Sequence, residues 1–311
     1  MVIMAKRLLV TGGAGFIGSN FVKFMCESTD EYEITVLDAL TYAGSISNLS
    51  EVSERIKFIH GNITDDKLVE EICSNTDVIV NFAAETHNDN SISGPDIFIE
   101  TNVYGTYNLI KFARKNNIRF HQVSTDEVYG DMPIGSSIRF DEFTAFNPSS
   151  PYSASKAAAD HLVKAWHRTF GLDITISHSS NNFGPNQFPE KLIPLSIKLA
   201  KNNKKLRIYG DGKNIRDWIY VDDHSQAILS ILKNGKIGES YNISSDQLLS
   251  NLEVAHIINI AFNRSSDYVE FVDDRPGHDL QYALDSNKLR SETGWVPKGP
   301  SLHDWLMNLP K

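Results

Sequence analysis

The sequence predicts an α/β fold, a doubly wound parallel sheet with a smaller C-terminal lobe, from three observations. Short apolar runs of strand length alternate with helical stretches up to about residue 180. That alternation is the pattern of a parallel sheet covered on both faces. A glycine-rich turn, Gly12-Gly13-Ala14-Gly15-Phe16-Ile17-Gly18, joins the first apolar run to the first helix. From Asn181 the texture changes to turn signals and proline-broken segments, such as Asn181-Asn182-Phe183-Gly184-Pro185.

Taken in order, residues 6–11 read as a buried strand. Glycines at 12, 15 and 18 let the backbone turn tightly, approach a pyrophosphate and pack the following helix on the strand. The helix, running through Asn20–Cys26, then offers free N–H groups and a positive dipole end to phosphates. The run Ile34–Leu37 ends at Asp38, twenty residues beyond Gly18. A carboxylate there accepts from a ribose 2′-hydroxyl and repels a 2′-phosphate, which favours NAD over NADP. Strand, turn, helix and acid together predict a Rossmann-type NAD site.

The alternation continues with a strand at Ile56–His60 ending in Gly61-Asn62-Ile63, and a helix over 65–74. Val78–Phe82 is a strand ending in Ala83-Ala84-Glu85-Thr86-His87, followed by one helix over 96–116. Arg119–Ser124 leads into Thr125-Asp126-Glu127; a helix over 152–170 and a strand at Asp173–His178 follow. Ligands bind such sheets at the carboxyl ends of the strands, and Asp38, Asn62, Glu85–His87 and Thr125–Glu127 all fall there. One active site is expected. Residues 1–182 are read as the NAD-binding domain and 183–311 as a substrate-binding lobe, with some segments returning to the first domain.

Composition narrows the function. The chain has 311 residues and a formal net charge of -9, which argues against general nucleic-acid or anionic-membrane binding. No apolar run approaches the roughly 20 residues needed to span a bilayer, and the N-terminus lacks signal-peptide anatomy. Cys26 and Cys73 are too few for a disulfide framework and read as core thiols. A cytoplasmic protein is expected.

Chemistry-bearing residues cluster in two stretches. Tyr152 and Lys156 lie four residues apart and share one helix face. Ser124, Thr125, Asp126 and Glu127 stand together where a strand gives way to a loop. In the second lobe, Lys191, Arg216 and Arg275 are candidates to pair with a diphosphate, and Tyr209 offers an aromatic face.

These motifs resemble the extended short-chain dehydrogenase/reductase superfamily, through Thr11–Gly18 and Tyr152-Ser-Ala-Ser-Lys156. Within it the chain resembles the dTDP-glucose 4,6-dehydratases, through Ser124–Asp131, Pro148–Tyr152, Ser180–Pro185, Pro189–Pro194, Arg216-Asp-Trp218 and Asp274–His278. The resemblance covers nearly the whole chain and implies a hydro-lyase acting on dTDP-glucose with tightly bound NAD. Tyr152, its phenol pKa lowered by the Lys156 cation, would take the proton of the sugar 4-hydroxyl as hydride leaves for NAD. Thr125 would help hold the 4-oxygen. Glu127 would remove the C5 proton, protonated Asp126 would deliver a proton to the departing 6-hydroxyl, and the hydride would return to C6. The product would feed biosynthesis of rhamnose or another deoxysugar.

By the same resemblance the NAD site would comprise Gly12, Gly15, Phe16, Ile17, Gly18, Asp38, Ala39, Leu40, Thr41, Asn62, Ile63, Phe82, Ala83, Ala84, Thr101, Tyr152, Lys156 and Asn182. The nucleotide sugar would be held by Thr86, Thr125, Asn181, Lys191, Leu192, Arg207, Tyr209, Arg216, Asn251, Asp274, Arg275 and His278. No metal site is expected. A homodimer pairing the helices at 96–116 and 152–170 is the family expectation. Three departures stand out. Asn62 replaces a common Asp, His87-Asn88-Asp89-Asn90 lacks the cation of a His-x-Asp-Arg pattern, and Leu302–Leu309 is a short substitute for a longer terminal helix. The last predicts a less stable small lobe. Competing readings are a UDP-glucose 4,6-dehydratase, a nucleotide-sugar 4-epimerase, which has no use for Asp126 and Glu127, and a non-catalytic NAD sensor, against which an intact Tyr152 and Lys156 argue.

Overall fold

The structure is a computed structural model that describes residues 5–274 and 276–309. Its strands are β1 (Lys6–Thr11), β2 (Tyr32–Asp38), β3 (Ile56–His60), β4 (Val78–Asn81), β5 (Arg119–Thr125), β6 (Ile174–Ser179), β7 (Asn181–Phe183), β8 (Leu206–Tyr209), β9 (Ile215–Tyr220), β10 (Ser240–Ile243), β11 (Leu248–Ser250) and β12 (Val269–Val272). Seven of them form one parallel sheet in the order β10-β6-β5-β4-β1-β2-β3. The doubly wound parallel fold expected from the sequence is the one found. The strand order reverses beside β1, and that reversal opens a crevice at the strands' carboxyl ends.

The strands are apolar along their whole length because both faces are covered. In β1, Leu8 and Val10 point into a core with Phe21, Met25, Val36 and Val80. Leu9, between them, points into the opposite core with Leu37, Ile79, Leu109 and Phe120. Each such fully buried side chain contributes roughly 1.5–3 kcal/mol relative to exposure. Cys26 and Cys73 are buried and unbridged, as expected of core thiols, and burial pushes the Cys73 thiol up to about 12.

Three segments from beyond residue 183 complete this larger unit, one of them the helix Asn287–Thr293, which packs on β10 and puts Leu289, with Trp295 after it, in the first core. Strand β10 pairs with β6, and the helix Val221–Asn234 packs on the helix Phe16–Ser28, with Ile228 and Ile231 in the first core. The remaining chain forms the smaller lobe. It has a three-stranded sheet, β11-β9-β7, a parallel pair, β8 and β12, and helices Leu192–Lys201 and Asn251–Ala261. Its core joins Phe183, Ile193, Trp218, Val254 and Ile258 to Leu302 and Leu306 of the helix Leu302–Met307. Among the described residues no helix is long and apolar enough to cross a membrane.

One element differs from the sequence reading. The single helix expected over 96–116 is three pieces: α-helical Asp96–Phe98, a π-helical stretch Ile99–Gly105, and α-helical Thr106–Lys115. Helical periodicity does not reveal a π turn, and here it accompanies tertiary contacts. Asn102 accepts from the Glu85 N–H at 2.8 Å and donates to the Glu85 carbonyl and to Ser155. Gly105 lies so close to Ile63 that a Cβ would come within 2.5 Å of its side chain. Such insertions cluster at functional sites, and this one carries Thr101.

Candidate active site

A cavity of about 630 Å³ opens along the carboxyl ends of the large sheet and continues under the small lobe. Its first wall is mostly backbone. Gly12 has φ +67°, and a Cβ there would lie 2.6 Å from the Ala83 nitrogen. At Gly18 a Cβ would lie 2.3 Å from the Gly12 carbonyl oxygen. The helix Phe16–Ser28 begins at Gly15 with no side-chain cap, so its first-turn N–H groups stay available to an anion. Asp38 ends β2 nearly buried and accepts from the N–H groups of Ala14 and Leu40, both at 2.8 Å. A glycine cradle, an uncapped helix start and a fixed carboxylate suit a dinucleotide without a 2′-phosphate.

Of the residues predicted for that site, Gly12, Gly15, Phe16, Ile17, Gly18, Asp38, Ala39, Thr41, Asn62, Ile63, Phe82, Ala83, Ala84, Thr101, Tyr152, Lys156 and Asn182 line the cavity. Leu40 does not. Its positive φ of 49° presents its N–H to Asp38, while its side chain packs against the core. Asn62 uses its carbonyl oxygen locally, accepting from the Thr64 N–H at 3.0 Å.

The floor is the turn after β5 and the start of the helix Pro151–Phe170. Ser150 caps that helix in a reciprocal box with Ser153, Pro151 occupies the first turn, and Gly171 with φ 69° ends it. Tyr152 and Lys156 therefore sit in a rigid first turn and a half, both buried. Lys156 Nζ donates to the Val123 carbonyl at 2.8 Å. Burial lowers its pKa and the charge of Asp160 opposes that. The Tyr152 phenol is pushed well above its ordinary range by burial and by the Glu127 charge, with Thr125 pulling the other way. This corrects the expectation that Lys156 lowers it. The Lys156 ammonium is bonded to a strand carbonyl, and burial outweighs any lowering by its charge.

Asp126 and Glu127 are adjacent yet differ in surroundings. The Asp126 carboxyl is 2 % exposed, takes one contact from Thr125 Oγ1 at 3.2 Å, and leaves Oδ2 unpartnered. Burial, then the neighbouring Glu127 charge, raise its pKa well above the carboxylate range. Glu127 is half-buried and accepts from Asn88 Nδ2 at 2.8 Å. Behind the turn, a buried network fixes β5. Ser124 Oγ donates to Asp160 at 2.6 Å, Asp160 contacts His178 at 3.1 Å, and His178 meets the Tyr129 hydroxyl.

The second wall is made of side chains. Thr86, Thr125, Asn181, Lys191, Leu192, Arg207, Tyr209, Arg216, Asn251 and His278 line it. Lys191 Nζ donates to the Thr86 carbonyl at 2.8 Å, and the Tyr209 and His278 rings meet edge-on. Arg216 is buried and donates to the Asp279 and Ile215 carbonyls, with its guanidinium 4.4 Å over the Tyr282 ring. Asp274 lies off the cavity lining and accepts from His278 Nδ1 at 2.6 Å, so it orients a lining residue. Arg275 lies outside the described residues. Among the described residues no cluster could hold a metal ion.

Sequence reasoning missed several lining residues, among them Asn88, Tyr42, Glu190 and Tyr282. Asn88 and Tyr282 meet the site only through contacts with residues far away in the chain. The signal at Asn88 was its place in 87–90, beside the substitution read there as a lost cation.

Comparison with known proteins places this geometry. A family profile described as GDP-mannose 4,6 dehydratase matches residues 9–302. The dTDP-glucose 4,6-dehydratase of Mycolicibacterium smegmatis is 50% identical over 292 residues, 94% of this chain and 88% of that protein. The chain belongs to the dTDP-glucose 4,6-dehydratase family. The low-salt glycan biosynthesis protein Agl12 of Haloferax volcanii is 49% identical over 294 residues, covering 94% of this chain and 93% of that one. Among solved structures, DesIV, a dTDP-glucose 4,6-dehydratase from Streptomyces venezuelae with NAD and TYD bound, superposes with a TM-score of 0.93 at 44% identity. That match covers 97% of this chain and 94% of DesIV. A UDP-glucose 4-epimerase from Thermotoga maritima shares the fold at 27% identity and a TM-score of 0.89, covering 97% of this chain and 96% of that one.

Proposed function

We propose that this chain is a hydro-lyase that converts dTDP-glucose to dTDP-4-keto-6-deoxyglucose with NAD as its cofactor, and that Asp126 and Glu127 divide the elimination between them. The observation that carries this reading is the contrast between the two acids. One is buried, raised in pKa and unpartnered at Oδ2; the other is anchored at the cavity by an amide.

When bound, NAD would supply reversible two-electron chemistry, oxidising the sugar at C4 and, after loss of water, reducing it at C6 as C5 regains a proton. Gly12, Gly15 and Gly18 with the adjoining helix start would hold its phosphates, and Asp38 its ribose. Tyr152, ionised to the phenolate for this step, takes the proton of the 4-hydroxyl, and Thr125 steadies that oxygen. The ketone so formed acidifies C5, and Glu127 removes the C5 proton. Asp126 gives its proton to the departing 6-hydroxyl, which leaves as water. A carboxyl kept neutral by burial is the form a general acid needs. Lys191, Arg207, Tyr209, Arg216 and His278 hold the nucleotide diphosphate, with Asn251 beside them.

We assign residues 1–182 to the cofactor domain and 183–311 to the substrate lobe, with β10 and the helices Val221–Asn234 and Asn287–Thr293 returning to the former. A cytoplasmic homodimer, joined through helices 96–115 and 151–170, completes the reading, and the product serves deoxysugar synthesis. The test is incubation with dTDP-glucose and, in parallel, UDP-glucose. A 4-keto-6-deoxy product with no accumulated NADH, and preference for the thymidine nucleotide, supports the reading. Recovery of a C4 epimer, or unchanged sugar despite bound NAD, overturns it.

A further inference from the structure

We propose that Asn88 is a positioning residue for the elimination: its amide aims the Glu127 carboxylate and ties that aim to the start of the helix carrying Tyr152 and Lys156. Nδ2 donates to Glu127 Oε2 at 2.8 Å, and Oδ1 accepts from Ser150 Oγ at 2.9 Å. One side chain therefore bridges the turn after β5 to the cap of the catalytic helix.

The orientation of that amide follows from counting protons. Ser153 Oγ accepts from the Ser150 N–H and donates to the Ser150 carbonyl at 3.1 Å. Ser150 Oγ in turn accepts from the Ser153 N–H and lies 2.9 Å from both Ser153 Oγ and Asn88 Oδ1; with the Ser153 proton on the Ser150 carbonyl, its own proton serves Asn88 Oδ1. With Oδ1 committed to Ser150, the amide nitrogen faces Glu127. The flipped amide would set its oxygen against a carboxylate. Asn88 is itself fixed, because it opens the helix Asn88–Ser93 and its carbonyl accepts from Ser91 Oγ at 2.7 Å. A glutamate has three side-chain torsions, so an unheld Glu127 would sample many rotamers. General bases need geometry within about 0.5 Å of the productive pose. The amide supplies that constraint by a charge-assisted bond, referenced to the same helix turn that places Tyr152.

This inference rests on reading Glu127 as the C5 base, and the test separates the two. Single-turnover reactions with dTDP-glucose in deuterated water give C4 oxidation as transient NADH absorbance and C5 proton removal as deuterium incorporation. Asn88→Val is expected to keep C4 oxidation near the parent rate while C5 exchange falls by up to about 100-fold, the scale of a misplaced catalytic group. Ser150→Ala, which leaves the Asn88 side chain in place but frees its amide and also uncaps the helix carrying Tyr152, should slow C5 exchange less than Asn88→Val but still more than it slows C4 oxidation. If Asn88→Val slows both steps equally, or leaves C5 exchange at the parent rate, the proposal is wrong. Should Asn88→Val fail to retain NAD, Ser150→Ala decides alone. A selective loss of C5 exchange supports the proposal, and an unchanged ratio of the two steps overturns it. Glu127→Gln is the control. If it exchanges C5 normally, the base assignment itself fails, whereas loss there with none at Asn88 sinks only the present inference.

Discussion

The cavity wall carrying Gly12, Asp38 and Ala83 is built from backbone at the ends of parallel strands. The wall facing it, with Lys191, Tyr209, Arg216 and His278, is built from side chains on short strands and loops. On the first wall the tolerances are those of peptide groups: a single Cβ at Gly12 or Gly18 collides with main chain. On the second, the cations are held by carbonyls such as those of Thr86 and Asp279. The difference suits a shared cofactor on one side and a nucleotide sugar on the other. The catalytic turn lies where the two walls meet.

The comparison can be broken in several places. The largest effect is expected at the junction. Asp126→Asn combined with Glu127→Gln should bind NAD and oxidise C4 but lose water at least about 1,000-fold more slowly, since each acid–base role contributes roughly 10²–10⁴. Product formation by the purified double variant measures this. Next comes the network behind β5. Asp160→Asn leaves His178 and Ser124 without their charged partner in a fully buried site. It should lose about 3–5 kcal/mol of stability, read from denaturant unfolding.

The walls themselves should respond separately. Gly12→Ala incurs about 1–2 kcal/mol for the left-handed backbone and adds the collision with Ala83. NAD retention should fall while dTDP affinity holds, as calorimetry would show. Arg216→Met should do the reverse, weakening dTDP about tenfold, or roughly 1.4 kcal/mol. If either variant weakens both ligands alike, the two walls are one unit and the comparison fails.

A smaller, pH-dependent effect sharpens the contrast between the two acids. The folded pKa of Asp126 is raised by burial, so its contribution to stability is full below the unfolded carboxylate pKa and is lost as pH rises through the folded one. Asp126→Asn should therefore gain in melting temperature relative to the parent as pH rises above the ordinary carboxylate range, and gain nothing near pH 3. Dehydration by the parent should fall as pH rises through the raised Asp126 pKa, because the general acid loses its proton.

Much of the first wall could be read in the sequence, because glycines at 12, 15 and 18 and an acid at 38 are local consequences of one turn. The catalytic residues were visible for the same reason: Tyr152 and Lys156 share one helix turn, and Asp126 and Glu127 are neighbours. What the sequence did not disclose depends on contacts between distant segments. The π-helical stretch at Ile99–Gly105 accompanies the Asn102 link to Glu85 and Ser155, and periodicity is blind to it. Asn88 meets Glu127 across 39 positions and Ser150 across 62. The state of Tyr152 was misjudged because Lys156 is adjacent along the helix but directed to the Val123 carbonyl.

The most direct measurement compares Asp126→Asn with Glu127→Gln, each singly, during a single turnover of dTDP-glucose in deuterated water. With the labour divided as proposed, Asp126→Asn still forms NADH transiently and still incorporates deuterium at C5, but releases little water. Glu127→Gln forms NADH and incorporates none. Deuterium at the parent rate in Glu127→Gln, or loss of C5 exchange in both variants alike, would contradict the assignment of a separate acid and base.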